Sequence, residues 1–412
     1  MEALKPKASF SRTQLVSVLL LATIQFTVVL DFMILSPLGD ILMKSMKITP
    51  EQFGTAVSSY AFSAGISGFL AAGYADKFDR KKLLLFFYIG FILGTFFCGI
   101  ASSYPFLVIA RIITGLFGGV IGAISMAIIT DLFELNQRGR AMSFVQMAFA
   151  ASQILGIPIG LKLADIFNWH ASFFMIVILA VLTVAAVHFF LPNFNQHLAV
   201  QQKQTGLQHL LQAVRKRNYR IGFLATGFLA IGGYMIMPFT SSFLINNVGI
   251  SNNQLITIFM VTGISSMIVM PLVGKLADSF NKYRIFLYGS VMTSIMVLIY
   301  TNLGVTPLWL VMVINVLLFA GIMGRAVPAV ALNSGLPDSS DRGAYMSINA
   351  SLQQIAGGIG AFIAGHIVVQ KATHQPLEHF DILGYIMVGI FALCAVLVFR
   401  VHKILESRKT MN

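Results

Sequence analysis

The sequence predicts an all-α integral membrane protein with twelve transmembrane helices arranged as two six-helix lobes. Three observations lead there. The 412 residues are 57% hydrophobic and only 10% charged, against roughly 25% charged in a soluble domain. The apolar residues gather in twelve runs, each near the length of about 20 residues that a spanning helix needs. Two loop markers recur at nearly one offset, as a duplicated half requires. A soluble enzyme, a disordered chain and a coiled coil are excluded by this composition. Phe 35, Met 20 and Gly 35 suit lipid-facing and helix-packing surfaces. The two cysteines, Cys98 and Cys394, lie in apolar runs and suggest neither a disulfide framework nor a metal site.

The first six runs are Gln14 to Met43, Phe53 to Ala75, Leu83 to Ala101, Pro105 to Asp131, Ala141 to Leu163 and Ser172 to Leu191. The second six are Tyr219 to Asn246, Gln254 to Ala277, Arg284 to Asn302, Pro307 to Leu332, Ala344 to Gln370 and Phe380 to Val401. Short polar turns separate most of them. The longer stretch from Pro192 to Asn218 is Gln-rich and ends in Arg215, Lys216 and Arg217. The expected organisation is a first lobe over 1–191, a central cytoplasmic loop over 192–218 and a second lobe over 219–412.

The net charge is +13, but the basic residues sit between apolar runs and form no separate domain. That placement speaks for the positive bias of cytoplasmic loops and against nucleic acid binding. With the N-terminus inside, the clusters around Arg80, Arg138, Lys216, Lys282 and Arg400 all become cytoplasmic, and only Lys44, Lys47, Lys162 and Lys371 stay outside. Both termini are therefore expected in the cytoplasm, with the chain in a bacterial inner membrane. The first run is too long for a signal peptide and lacks a small-residue cleavage site, so it should remain as the first span.

The loop after the second span runs from Gly73 through Asp76 and Asp79 to Arg80; the loop after the eighth runs from Gly274 through Asp278 and Asn281 to Lys282. Asp76 and Asp278 are 202 residues apart. The pair Arg138-Gly139 recurs as Arg342-Gly343 after 204 residues. Parallel repeats of this kind place a substrate site between them near the bilayer midplane.

On these residues the chain resembles the major facilitator superfamily over almost its full length. Asp76 to Lys82 looks like the family's loop signature between the second and third spans, with Ala72 and Asp79 standing where glycines are expected. Gly274 to Lys282 resembles its second copy. Arg111, with Leu107 before it and Gly115 after it, looks like the fourth-span motif of proton-driven members. Gly156, Pro158 and Gly160 are similar to a degraded form of the Gly-Pro motif of antiporters. Asp31 sits where the drug/proton antiporter branch often has an acid. The resemblance implies the major facilitator fold, proton exchange involving Arg111 and an acidic neighbour, and a gating loop made by Gly73, Asp76, Arg80, Gly274 and Asp278. That loop would brace the two halves, near Gly343, when the cavity opens outward.

Asp31 is the only acid well inside a predicted span, and an intramembrane carboxylate is a functional-site hypothesis by default. Arg111 and Arg325 are the only arginines inside spans. Arginine keeps its proton in proteins, so Arg111 is a fixed charge that tunes a neighbour, with Asp31 as the expected partner. Arg325, between Gly324 and Pro328, either attracts an anionic substrate group or pairs with Asp338 or Asp341. Gln146 and Gln153 are seven apart, and Asn349 and Gln353 four apart, so each pair shares a helix face. With Gln25, Tyr234 and Asn315 these are candidate cavity residues, or else plain interhelical hydrogen bonders. The small-residue stripes at Gly115, Gly119 and Ala123, and at Gly357, Ala361 and Gly365, are expected to pack helices closely. His188 and His366 lie near span ends and offer little.

No Walker loop, zinc spacing or Ser/His/Asp motif occurs. No cofactor is expected, and uphill transport must draw on an ion gradient. The expectation is a non-enzymatic secondary transporter, a monomer in the lipid bilayer, exporting small amphipathic or hydrophobic molecules against protons. Proton-coupled transport of sugars or metabolites, in either direction, is the alternative. A membrane enzyme acting on lipids is a remote one, because no cluster of His, Asp or Glu marks one membrane face.

Overall fold

The computed structural model describes residues 10–71, 77–194, 206–338, 341–372 and 374–411. Among them are sixteen α-helices and no strand. In the first lobe they are α1 (Arg12–Ile34), α2 (Gly39–Met46), α3 (Pro50–Ala71), α4 (Arg80–Gly99), α5 (Tyr104–Leu132), α6 (Leu135–Ala151), α7 (Ile157–Ile166) and α8 (Trp169–Phe190). A short helix, α9 (Gly206–Arg215), precedes the second lobe. That lobe holds α10 (Arg217–Tyr234), α11 (Thr240–Asn246), α12 (Asn252–Ser279), α13 (Lys282–Thr301), α14 (Leu308–Asn333), α15 (Arg342–Ile367) and α16 (Phe380–Met411). They make twelve crossings in two six-helix lobes, because three crossings are interrupted.

The interruptions have local causes. Proline lacks the amide hydrogen that a helix interior needs. The first predicted run breaks between α1 and α2 at Pro37, and the seventh breaks in a 3₁₀ turn (Met237–Phe239) at Pro238. The fifth passes through a π-helical turn (Ser152–Gly156) just before Pro158. Carbonyls freed by such breaks must find donors inside a membrane. Here they find them across the lobes. The Ser241 hydroxyl donates to the Ser36 carbonyl at 2.8 Å, and the Ser36 hydroxyl donates to the Met237 carbonyl. Beside them Asn246 donates to Asp40 at 2.6 Å, and Lys44 pairs with Asp40 at 2.7 Å.

Ten of the crossings are long and apolar enough to span a membrane on length and composition. The remaining two, α3 and α15, form the main seam between the lobes. Their composition follows from that position: a helix facing another helix wants small residues, not lipid-soluble ones. A Cβ on Gly54 would lie 2.9 Å from the Gly365 Cα, and one on Gly65 would lie 2.8 Å from the Ser351 carbonyl oxygen. The stripe of the fourth crossing packs in the same way, with Gly119 against the backbone of Ala64.

The two ends of the seam differ. Near residues 36–54 and 237–246 the lobes interlock. On the face that carries the chain termini, a Cβ added at Gly139, Gly274 or Gly343 meets no described atom within 4 Å. The lobes are thus clamped at the end far from the termini and unpacked at these points near them.

Gly54→Val is expected to force the seam open at the clamped end. Overpacking costs about 1–3 kcal/mol, which should appear as a lower melting temperature in detergent. A cysteine introduced at Ile41 should react several-fold faster with a polar thiol reagent in this background. Unchanged melting and labelling would contradict the Gly54–Gly365 contact as a determinant of closure.

Candidate functional site

Asp31 lies one turn before α1 breaks. Its carboxylate is fully buried. One oxygen accepts from the Thr95 hydroxyl of α4 at 3.1 Å. The other accepts from Arg111 Nη1 of α5 at 2.8 Å, and the same nitrogen is 3.4 Å from the Asp31 carbonyl. Arg111 is equally buried. Its guanidinium lies 4.5 Å from the ring centre of Tyr60 on α3, so an aromatic face covers the charge. Its Nε and Nη2 have no hydrogen-bond partner among the described residues.

The glycines of α5 make room for that ring. A Cβ on Gly118 would come within 2.7 Å of the Tyr60 hydroxyl, and one on Gly115 within 2.4 Å of the Tyr60 carbonyl. The antiporter-like motif holds α1 from its other side. Gly156 and Gly160 leave space for Leu30 and Ile34, whose atoms would lie 2.6 and 2.7 Å from added Cβ atoms. Ser152 donates to the Phe26 carbonyl at 3.0 Å, and Ser172 to the Gly160 carbonyl at 2.7 Å. Pro158 follows this π-helical turn as the second residue of α7. Gly156, Pro158 and Gly160 therefore act here as the wall that positions the turn bearing Asp31.

Aromatic rings run from the ion pair to the second lobe. Tyr60 is 5.3 Å from Phe32, and Phe32 is 5.8 Å, edge-on, from Tyr234 of α10. Tyr234 in turn packs over Gly357 of α15, whose added Cβ would lie 3.1 Å from the ring. Asn315 follows Arg111 by 204 residues, the offset of the repeat, so the second lobe carries a neutral amide at the equivalent place. Asn315 donates to the Val311 carbonyl of its own helix at 3.1 Å.

The other candidates divide. Gln25, Gln153 and Asn349 each carry a buried amide oxygen with no partner among the described residues. Gln146 and Gln353 are exposed, so the members of each helix-face pair do not share an environment. Arg325 does not pair with Asp338 or Asp341. It is buried with its guanidinium stacked 3.7 Å over Phe391, while Asp338 and Asp341 take Lys216 and Tyr219. Gly73 and Asp76 lie outside the described residues. Arg80 donates to Asp131 at 2.5 Å and so ties the start of α4 to the end of α5. Gly274 and Asp278 are on the unpacked face, Asp278 exposed.

Asp79, where the family signature has glycine, caps α4 by accepting from the Lys82 amide at 2.9 Å. Asn281, 202 residues later, caps α13 from Tyr283 and Arg284 at 3.0 and 3.2 Å. Asp and Asn are preferred caps because their oxygens satisfy free helix amides. Thr95, Tyr60 and Phe32 were missed in the sequence. A threonine or tyrosine inside an apolar run is a faint signal, and only their approach to the charge pair gives them meaning.

The sequence profile of the Major Facilitator Superfamily matches residues 21–361 and 222–411. The chain is similar to the uncharacterized MFS-type transporter YbcL of Bacillus subtilis (strain 168), 25% identical over 374 residues covering 90% of this chain and 93% of that one. It is similar to a probable sugar efflux transporter of Pasteurella multocida (strain Pm70), 22% identical over 372 residues, with 90% and 87% covered. Among solved structures, a bacterial homolog of the human lysosomal transporter Spinster, inward-facing and unoccupied, superposes with a TM-score of 0.74 at 15% identity, covering 97% of this chain and 99% of that one.

Removing one partner of a buried ion pair strands the other and costs about 3–5 kcal/mol. Asp31→Asn and Arg111→Gln should each lower thermal stability clearly, and the double variant should recover much of the loss. Melting curves of the four proteins in one detergent give the coupling; strictly additive losses would contradict the pairing.

Proposed function

The chain belongs to the Major Facilitator Superfamily, and on that premise we propose that it is a proton-coupled secondary transporter that exports small amphipathic or hydrophobic compounds by alternating access. The observation that carries the proton reading is the buried Asp31–Arg111 pair. Arginine holds its proton, so the exchangeable proton belongs on Asp31. Arg111 and Thr95 favour the charged carboxylate, and burial favours the neutral one. Admitting water or substrate changes that balance, which is what coupling requires. With a neutral Asn315 at the repeat-equivalent position, one lobe carries the whole device.

The cargo reading rests on the candidate residues. Phe32, Tyr60 and Tyr234 offer rings, and Gln25, Gln153 and Asn349 offer buried amides, the kinds of groups a small-molecule site uses. The amides also suit hydroxyl-rich ligands. The similarity to a probable sugar efflux transporter favours sugars as the second reading. The charge distribution supports placement in a bacterial inner membrane with both termini cytoplasmic. In that orientation the clamped end is external, and the open points at Gly139, Gly274 and Gly343 face the cytoplasm. We take the working unit to be a monomer, with the lobe boundaries near 191 and 219.

In proteoliposomes, Asp31→Asn is expected to abolish uphill transport driven by a pH gradient while leaving downhill exchange measurable. Full retention of gradient-driven accumulation would remove Asp31 from the coupling step. Arg111→Lys keeps the charge but loses the planar fork, and should displace the pH profile of transport; an unchanged profile would exclude Arg111 as the tuning group. A thermal-shift screen of drugs against sugars distinguishes the two cargo readings, since a bound ligand stabilises the fold by mass action.

A further inference from the structure

The helix between the lobes presents a surface that transport itself does not use. α9 buries Leu210 and Ala213 against the core formed by Tyr219, Phe223 and Tyr345. Its adjacent stripe faces outward: Leu211 is 51% exposed and Val214 38% exposed. Residues at this spacing of three and four share one side of a helix, so Arg215 completes the stripe. Arg217 and Arg220, on the first turn of α10, extend the basic edge; both are exposed. The side chains of these three arginines make no hydrogen bond or ion pair among the described residues.

Lys216 between them is committed elsewhere. It pairs with Asp341 and, at 3.5 Å, with Asp338. The Asp341 carboxylate accepting from its ammonium holds Lys216 above the usual lysine range. This fastens the α9–α10 corner to the connection between α14 and α15, so the stripe has a fixed direction. The level is fixed as well: α9 ends at Arg215, and the crossing that starts at Arg217 runs to Asn246. An apolar pair edged by unpaired arginines therefore sits where the chain enters the bilayer.

We propose that Leu211, Val214, Arg215, Arg217 and Arg220 form a docking surface for the anionic lipid headgroup layer on the face that carries the chain termini. Apolar side chains insert at the headgroup boundary and basic ones contact the phosphates, the combination that holds interfacial helices. The charge complementarity points to lipid: three exposed guanidinium groups beside an exposed apolar pair, at the start of a membrane crossing, match an anionic headgroup layer. Because α9 also rests on α15, headgroup binding holds one seam helix in place. The inference depends on the membrane fold and not on the identity of the cargo.

The test uses the purified full-length protein in neutral detergent, titrated with phosphatidylglycerol or phosphatidylcholine in mixed micelles and read by thermal shift. The wild type should prefer phosphatidylglycerol, and 0.5 M salt should weaken that preference. One basic side chain near such a surface contributes roughly a fivefold factor, so Arg215→Gln/Arg217→Gln/Arg220→Gln together should lose tenfold or more. The matching Arg→Lys triple variant should keep the preference, which separates charge from misfolding. Leu211→Gln/Val214→Gln should weaken binding of both lipids. Equal affinity of the wild type for both lipids would overturn the proposal. So would an equal loss on neutralising Lys282 and Arg284 instead, which would reduce the effect to total charge. Saturation by inorganic phosphate alone, or self-association abolished by the same substitutions without any lipid preference, would overturn it too.

Discussion

The first lobe is packed around two opposite charges held out of water, on Asp31 and Arg111. Taking either into the interior alone costs several kcal/mol, and the pair recovers that only in good geometry. Much of the surrounding structure maintains the geometry. α4 brings the Thr95 hydroxyl, α3 brings the Tyr60 ring, and α5 gives up side chains at Gly115 and Gly118 so that the ring can lie there. The π-helical turn and Gly156 and Gly160 press α1 inward from the opposite side.

The seam between lobes obeys a different constraint. Its contacts are mostly close backbone approaches and small polar groups, joined by a few rings. The clamped end uses serine hydroxyls on carbonyls that proline breaks set free, one short amide–carboxylate bond and a glycine-to-glycine approach. Paired rings are the larger groups at the boundary: Phe53 with Phe239 at 5.9 Å in the clamped end, and Phe32 with Tyr234 further in. Phe32 and Tyr234 lie edge-on, and they link the seam to the charge pair through Tyr60.

Much of this was legible in the chain. Twelve apolar runs became twelve crossings, because hydrocarbon leaves the backbone no partner but itself. The two runs with the weakest hydropathy, at α3 and α15, proved to be the seam, since helices that face each other are released from the demand for lipid solubility. Three departures come from prolines: Pro37, Pro238 and Pro158 each stand in a run that looks continuous by hydropathy. Arg325 was readable as a buried cation, yet its stacking on Phe391 was not, because its partner is an aromatic ring on another helix and no charge announces it. Gln146 and Gln153 shared a face by spacing but not by surroundings.

The sequence by itself determined the class, the span count, the duplication and the positions of the few charges in apolar runs. Those follow from solvation, which acts on each segment separately. The tertiary structure decided which charges meet, that Asp79 and Asn281 serve as helix caps, and at which end the lobes are clamped. Such properties depend on distances between segments far apart in the chain, and no local pattern of polarity specifies them.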